Sequence, residues 1–219
     1  RRLKLLDAST HPLVLLPGDN EWTDCHRRSA GRFDPRERLE MLRKTFWSRP
    51  EPLGRTARSA VPAMAFERQA QMPENVRWKI GAVRFVAVHV VGSNNNLDRR
   101  RPQTRTEHEA RERANIAWMR DSFAQAQARG ARALVLAMQG NPLGLINLSG
   151  AVSPDSGFHA SIGETLLPLA RDAGFPVLLI HGSGPGVSAW ANWRLVLPVL
   201  AEQRRVIAPD MVGFGYTDR

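Results

Sequence analysis

The sequence predicts an α/β fold. A β-branched apolar run over residues 83–91, a helical pattern over residues 106–129 and an apolar run over residues 131–138 follow one another along the chain. This strand–helix–strand order is typical of α/β proteins. A further apolar run, residues 175–180, ends in a glycine-rich stretch, which is the pattern of a buried strand that leads into a functional turn.

The composition is that of a globular protein, with 42% hydrophobic and 24% charged residues. The formal net charge of +10 comes almost entirely from arginine. Basic proteins often bind nucleic acid, but here the charge is spread along the chain, and no aromatic residue interleaves with the basic run at residues 98–101. We therefore expect no nucleic-acid partner.

Cysteine content and hydropathy exclude other classes. Cys25 is the only cysteine, so neither an internal disulfide nor a cysteine-based zinc site is expected. No apolar run approaches the length of a membrane span, and the N-terminus lacks the features of a signal peptide. As it stands, the chain is expected in the cytoplasm.

The first part of the chain combines a helix, a strand and a polar loop. Residues 1–6 have the pattern of a helix, which suggests that the natural start lies upstream, and the apolar residues 13–16 predict a buried strand. Six polar or ionisable side chains follow within residues 19–26, a layout typical of a site after a strand. Such side chains suit Mn, Mg, Zn or Fe, but an Asx-rich turn that caps the next helix explains the pattern equally well.

Capping signals predict the next helices. Asp34 and Glu37 form a capping box for a helix that begins at residue 35. Residues 48–76 lack periodicity and predict a long irregular connection. A second capping box, Thr106 with Glu109, predicts a helix that runs to about residue 129. Further predictions are a loop over residues 140–160, a helix over residues 162–173, a helix over residues 189–202 and a strand over residues 206–210.

Four motifs lie within residues 1–181: P-G-D-N-E-W-T-D-C at residues 17–25, and shorter stretches at residues 73–78, 89–95 and 113–115. Together they resemble a bacterial subgroup of the calcineurin-like metallophosphoesterases. The resemblance implies a β-sandwich flanked by helices, and two divalent metal ions, Mn, Fe, Zn or Mg, that activate a water to attack phosphorus. It also implies a phosphoester as the substrate.

The resemblance assigns metal-ligand roles to Asn20, His89 and His181. Asn20 corresponds to the family's asparagine ligand, His89 to a histidine at a strand end, and His181 to the first histidine of a terminal H-G-D-x-H motif. From the residues alone, a lone histidine at a strand end such as His89 is more often a hydrogen-bonded structural residue than a metal ligand. Pro185 stands in place of the second histidine, and the family's early ligand motifs before Asn20 are missing, so the phosphoesterase-like body is expected to be weak or inactive.

A second set of motifs follows the predicted strand at residues 175–180. These motifs are H-G-S-G-P-G at residues 181–186, W-A-N-W at residues 190–193 and P-D-M-V-G-F-G at residues 209–215. These resemble the N-terminal part of α/β-hydrolases that cleave meta-ring-fission products, of the 2-hydroxymuconic semialdehyde hydrolase type. The resemblance implies that Gly182, Ser183 and Gly184 form the turn whose backbone N–H groups help to build an oxyanion hole. Because the nucleophile motif G-x-S-x-G occurs nowhere in the 219 residues, Ser183 is not expected to be the nucleophile.

The two resemblances divide the chain and leave three functions open. Residues 1–174 are predicted to form an incomplete metallophosphoesterase-like β-sandwich with flanking helices, joined to the first strands of an α/β-hydrolase-like sheet in residues 175–219. Our hypothesis is a hybrid of two hydrolase reading frames. Metal-dependent phosphoester hydrolysis is the main prediction. Carbon–carbon bond hydrolysis in aromatic degradation is the alternative, and a non-catalytic fragment is the third. Either enzyme would act on a small-molecule substrate, with no nucleic-acid or membrane partner.

Overall fold

One five-stranded sheet organises the computed structural model, which describes residues 1–55, 57–140 and 151–180. The strands lie side by side in chain order. β1, β2 and β3 pair antiparallel, and β3, β4 and β5 pair parallel. The α/β class is confirmed, but the described strands form a single sheet and not the implied β-sandwich. The strands are β1 (Glu67–Arg68), β2 (Val76–Ile80), β3 (Val83–Ala87), β4 (Ala133–Ala137) and β5 (Val177–Ile180).

Five right-handed α-helices accompany the sheet in the described part of the chain, besides a four-residue turn, Gly92–Asn95, that contains left-handed backbone. They are α1 (Arg2–Asp7), α2 (Pro35–Phe46), α3 (Ala57–Met64), α4 (Pro102–Ala128) and α5 (Leu167–Asp172). A π-helical segment, His159–Leu166, runs directly into α5. Three short 3₁₀ turns cover most of residues 19–30. Among the helices described, none combines the length and apolarity that crossing a membrane requires.

The predicted start of α2 is right, whereas that of α4 is four residues late. The Asp34 carboxylate accepts a hydrogen bond from the Arg36 backbone N–H at 2.8 Å, which is the predicted N-cap. Helix α4 begins at Pro102 instead of at the Thr106 capping box. Proline suits the first helical position because its missing N–H would have no intrahelical partner there. Thr106 is therefore an exposed residue within the helix.

The principal core lies between the parallel strands and the helices that connect them. Parallel strands are typically covered by helices on their faces, and α4 and the 159–172 segment cover β3 and β4 in this way. Phe123 on α4 stacks against Phe175, just before β5, with ring centroids 6.4 Å apart. The core includes Val86, Val88, Val90, Trp118, Met119, Phe123, Leu134, Leu136, Ile162 and Leu166.

Two predictions for the first half of the chain are wrong. The predicted irregular connection over residues 48–76 contains α3 and β1 and ends at the first residue of β2. A two-residue turn with Gly81 at φ +57° joins β2 to β3. Residues 13–16, predicted as a buried strand, contribute one isolated bridge between Leu13 and Leu53. The predicted helix at residues 189–202 and strand at residues 206–210 lie outside the described residues.

Strand β5 connects the two predicted regions. Its residues Val177–Ile180 follow the expected boundary at residue 174 and pair parallel with β4, with Leu134 opposite Val177 and Ala137 opposite Ile180. Residues from both sides of the boundary therefore share one sheet. The division into two units stays a prediction.

Candidate functional site

The carboxyl ends of β3 and β4 continue as a pair of extended segments. The Val88 N–H donates to the Ala137 carbonyl at 3.0 Å, and the Gly140 N–H donates to the Val90 carbonyl at 2.8 Å. In open α/β sheets, ligands bind at this edge, beyond the carboxyl ends of the parallel strands. The polar residues of this edge therefore form the candidate site.

His89 lies fully buried in this edge, with 0% of its surface exposed. Its Nδ1 donates to Glu74 Oε1 at 2.7 Å, and Arg43 Nη2 donates to the same oxygen at 2.7 Å. Burial lowers the pKa of His89, so the ring is held neutral. Burial alone would raise the pKa of Glu74, but the contacts of its carboxylate with His89 and Arg43 hold that pKa well below its usual range.

The other face of the imidazole meets an aromatic ring. Trp22 packs edge-on against His89 with ring centroids 5.3 Å apart, and both side chains are fully buried. Within the described residues, neither His89 Nε2 nor Trp22 Nε1 has a hydrogen-bond partner. Buried unpaired polar atoms are uncommon and mark positions that call for an explanation.

Two asparagines fix the backbone of His89. The Asn75 side-chain oxygen accepts from the His89 N–H at 2.7 Å, and Asn115 Nδ2 donates to the His89 carbonyl at 2.9 Å. The two amides also bond to each other at 2.9 Å, and Arg111 Nη1 donates to the same carbonyl at 3.0 Å. These residues are all buried. The sequence analysis did not select Asn75, Asn115 or Arg111 as site residues, although Asn75 and Asn115 lie in stretches that appeared among its motifs.

A second polar group lies where the 3₁₀ turns meet the ends of β3 and β4. Gln139 accepts from the Gly92 N–H at 2.8 Å and donates to Asp19 Oδ1 at 3.2 Å. The Ser93 hydroxyl donates to Asp24 Oδ1 at 2.8 Å. The polar loop is therefore satisfied largely by hydrogen bonds within the protein, as the turn interpretation of its sequence expects.

The predicted metal ligands are not brought together in the described part of the chain. Asn20 is exposed, and its backbone N–H donates to Asp19 Oδ1 at 3.0 Å. His89 is buried and bonded to Glu74, and His181 lies outside the described residues. Among the residues described, no group of three or more His, Cys, Asp or Glu side chains is placed to hold a metal ion. The ligand roles of Asn20, His89 and His181, with their divalent metals, stay predictions.

The glycine-rich turn also lies outside the described residues. Gly182, Ser183 and Gly184 begin two residues after β5 ends at Ile180. Because β5 is parallel to β3 and β4, its carboxyl end faces the same edge as His89 and Gln139. The predicted oxyanion role of the three residues stays a prediction.

Comparison with known proteins finds relatives for a short segment. Over 47 residues the chain is 77% identical to the 2-hydroxymuconate semialdehyde hydrolase of Pseudomonas sp. (strain CF600), covering 22% of this chain and 17% of that protein. It is 74% identical over 47 residues to the 2-hydroxy-6-oxo-2,4-heptadienoate hydrolase of Pseudomonas putida (strain ATCC 700007), with the same coverage. No family model and no solved structure matches the chain.

A third relative has the same kind of name. The 2-hydroxy-6-oxo-6-(2'-aminophenyl)hexa-2,4-dienoic acid hydrolase of Metapseudomonas resinovorans is 59% identical over 49 residues, which are 22% of this chain and 17% of that protein. The chain thus spans about a sixth of the length of the curated relatives it matches. A segment similar to hydrolases of the 2-hydroxymuconate semialdehyde type is therefore present.

These relatives overturn the main functional prediction. The prediction of a metal-dependent phosphoester hydrolase is wrong, because the matching relatives are hydrolases of the type given as the alternative. The polar loop at residues 19–26 suggested metal chemistry, but Asp19 and Asp24 accept hydrogen bonds from Gln139 and Ser93. The comparisons support no metallophosphoesterase segment and no phosphoester substrate.

Proposed function

We propose that the chain carries the oxyanion-turn segment of an α/β-hydrolase that cleaves a carbon–carbon bond in ring-fission products. The identity of 77% over 47 residues to a 2-hydroxymuconate semialdehyde hydrolase carries the proposal. By this assignment the substrate is a small organic molecule, and the region from β5 onward contributes to catalysis. The resemblance of residues 175–219 rests on three separate motifs, which makes a chance match over a short stretch an inadequate explanation.

The position of β5 supports this assignment. The strand pairs parallel with β4 and ends at Ile180, and the glycine-rich stretch comes next in the sequence. An α/β-hydrolase builds its oxyanion hole from backbone N–H groups at this edge of its sheet. The order strand, then glycine-rich turn, is therefore compatible with the proposed role.

The chemistry assigns different tasks to the three turn residues. Attack on the substrate carbonyl places negative charge on its oxygen, and backbone N–H donors about 2.7–3.1 Å away stabilise that charge. Gly182 and Gly184 lack side chains, so their backbone can approach the substrate oxygen closely. By this proposal Ser183 belongs to the oxyanion turn and is not the nucleophile. Since the 219 residues contain no G-x-S-x-G motif, the chain by itself is expected to leave a ring-fission product unchanged.

A chimaera tests the proposal directly. Residues 175–219 replace the matching segment of the Pseudomonas sp. (strain CF600) hydrolase, and the absorbance of the yellow ring-fission product is followed with time. We expect turnover in the chimaera. Gly184→Val keeps the backbone N–H but adds a branched side chain that prevents its close approach to the substrate oxygen, so it should lower kcat by up to about 10²–10³, the cost of one lost oxyanion contact. Ser183→Ala, the matched control in the same turn, should retain most of the activity.

Two results would refute the proposal. One is a folded chimaera, shown by a cooperative melt, that does not consume the substrate. The other is loss of activity in Ser183→Ala comparable to that in Gly184→Val, because this would give Ser183 a direct chemical role that an oxyanion turn does not require.

A further inference from the structure

A cavity of about 740 Å³ opens beside the first half of helix α4, on a part of the chain remote in sequence from β5. Small-molecule sites typically have volumes of about 300–1,000 Å³. Residues 154–160 form much of the opposite wall. Residues four apart share one face of a helix, and two such rows of α4 line the cavity. One row is Arg105, Glu109 and Arg113, and the other is His108, Glu112 and Ile116.

His108 lines this cavity, and the described residues provide no hydrogen-bond partner for one of its ring nitrogens. Only 8% of its surface is exposed. Its Nδ1 lies 2.9 Å from the Asn95 carbonyl oxygen, and because a carbonyl only accepts, Nδ1 must carry the proton. This contact leaves Nε2 as the ring nitrogen that can accept a hydrogen bond. Within the described residues Nε2 has no hydrogen bond, and it is the polar ring atom left open to the cavity.

The carboxylates of Glu109, Glu112 and Asp155 around the cavity already accept hydrogen bonds from other protein groups. Glu112 accepts from Asn95 Nδ2 at 2.8 Å and from the Ser161 N–H at 3.0 Å. Glu109 accepts from Arg105 Nε at 2.7 Å, and Asp155 is paired with Arg99. Their negative charge is therefore largely neutralised.

Arg113 is the cation of the cavity that remains unpaired. In the part of the chain that the structure describes, its guanidinium has neither an ion pair nor a hydrogen bond, although it lines the same space as His108. A guanidinium binds a carboxylate through two parallel N–H···O bonds. The cavity thus offers one site for a carboxylate and one acceptor for a hydroxyl group.

We propose that this cavity binds a small hydroxycarboxylic acid. Arg113 binds the carboxylate, and His108 Nε2 accepts the hydroxyl proton of the ligand. The Asn95 carbonyl supports the His108 ring from behind, and Arg113 is an exposed residue of the same helix. The proposal does not rest on the hydrolase function, since the cavity includes no residue of β5 or of the stretch after it.

Calorimetric titration of the full chain with L-malate and with succinate tests the proposal. The two acids differ by one hydroxyl group, so we expect malate to bind roughly tenfold more tightly, the value of one hydrogen bond of about 1.4 kcal/mol. His108→Asn keeps a side-chain N–H in the place of Nδ1 and removes Nε2. This variant should bind malate and succinate with equal affinity.

Arg113→Gln tests the carboxylate contact. It should weaken binding of both acids about tenfold, because the variant loses the two parallel N–H···O bonds from the guanidinium to the carboxylate. The matched control is Arg120→Gln, which removes the same charge from an exposed position of α4 outside the cavity. The control should change the affinity less than twofold.

Three outcomes would overturn the proposal. The first is that neither acid binds at millimolar concentration to a chain that melts cooperatively. The second is that Arg113→Gln and Arg120→Gln lose affinity equally, which would show attraction by net charge alone. The third is that His108→Asn preserves the preference for malate and melts like the unmodified chain, which would place the hydroxyl group away from Nε2.

Discussion

Acidification should destabilise this fold through one buried histidine, His89. Burial lowers the pKa of the ring from its ordinary value of 6.5, so the folded protein stays neutral at this position where the unfolded chain takes up a proton. The unfolded state therefore binds more protons below pH 6.5, and the free energy of unfolding decreases as the pH falls. One such group changes that free energy by at most about 1.4 kcal/mol per pH unit.

Glu74 adds to the decrease in the free energy of unfolding at lower pH. The pKa of Glu74 lies below its ordinary value of 4.5, because its contacts with His89 and Arg43 outweigh the opposing effect of burial. A depressed carboxylate pKa stabilises the fold above the unfolded value and loses that contribution as the pH falls through the folded value. The window between pH 6.5 and 4.5 therefore reports on His89, and the range below pH 4.5 reports on both groups.

Urea unfolding at several pH values from 7.5 to 5.0 measures this effect. Trp22 and Trp47 are buried, so tryptophan fluorescence follows the loss of the fold. His89→Asn keeps an N–H donor toward Glu74 but cannot titrate, and it should flatten the pH dependence by up to about 1.4 kcal/mol per pH unit. The control His11→Asn, at an exposed position, should keep the original slope. Equal slopes for the unmodified chain and His89→Asn would refute the reasoning.

Two further substitutions test the packing, each by urea unfolding at pH 7. Arg43→Met leaves the fully buried Glu74 carboxylate without its 2.7 Å ion pair and should lower the free energy of unfolding by about 3–5 kcal/mol. A loss no larger than that of the exposed pair variant Arg36→Met would contradict this. Phe123→Ala should cost about 3–5 kcal/mol, because it empties the core contact with Phe175. Phe33→Ala, at a ring 44% exposed, is its control and should change little.

The sequence predicts the parallel part of the sheet well, because apolar β-branched runs and helix periodicity are local signals. β3, β4, β5 and α2 lie where these patterns place them. β2 was missed because its alternation, V-R-W-K-I, is short and keeps two charged side chains. Its stability comes from partners that the pattern does not contain. One is the stacking of Trp78 on Phe85 at 5.1 Å, and the other is the pairing of Arg77 with Glu67 and Asp121.

The candidate site was less predictable, because its residues meet only in the folded chain. His89 and Gly92 follow β3 and were visible as a strand end. Glu74 comes from a turn and Arg111 from a helix, both at a distance from His89 in the sequence. Glutamate and arginine are usually exposed, so neither residue type suggests a buried site. One signal was available in principle: Glu107 and Arg111 are four apart on α4, which is the spacing of a helical ion pair, and their side chains bond at 2.7 Å.

The buried charges of α4 explain an unusual backbone beside the site. Residues 93–96 all have left-handed φ values, from 52° to 60°, although none is glycine. Asparagine tolerates this region better than most residues, yet a run of four still costs free energy at each position. Arg111 and Glu112 reach this turn from α4 and bond to Asn95, whose side chain also donates to the Gly157 carbonyl at 2.9 Å.

This arrangement gives α4 a structural task that its sequence alone does not display. A helix that covers a sheet normally buries an apolar stripe, and α4 does so from Trp118 onward. Its first half instead buries Arg111, Glu112 and Asn115, all hydrogen-bonded to the chain that leaves β3. Replacing a buried, satisfied polar group leaves its partners unpaired. The polar half of α4 therefore fixes the strained turn and the backbone of His89 together, so that a change in one should be transmitted to the other.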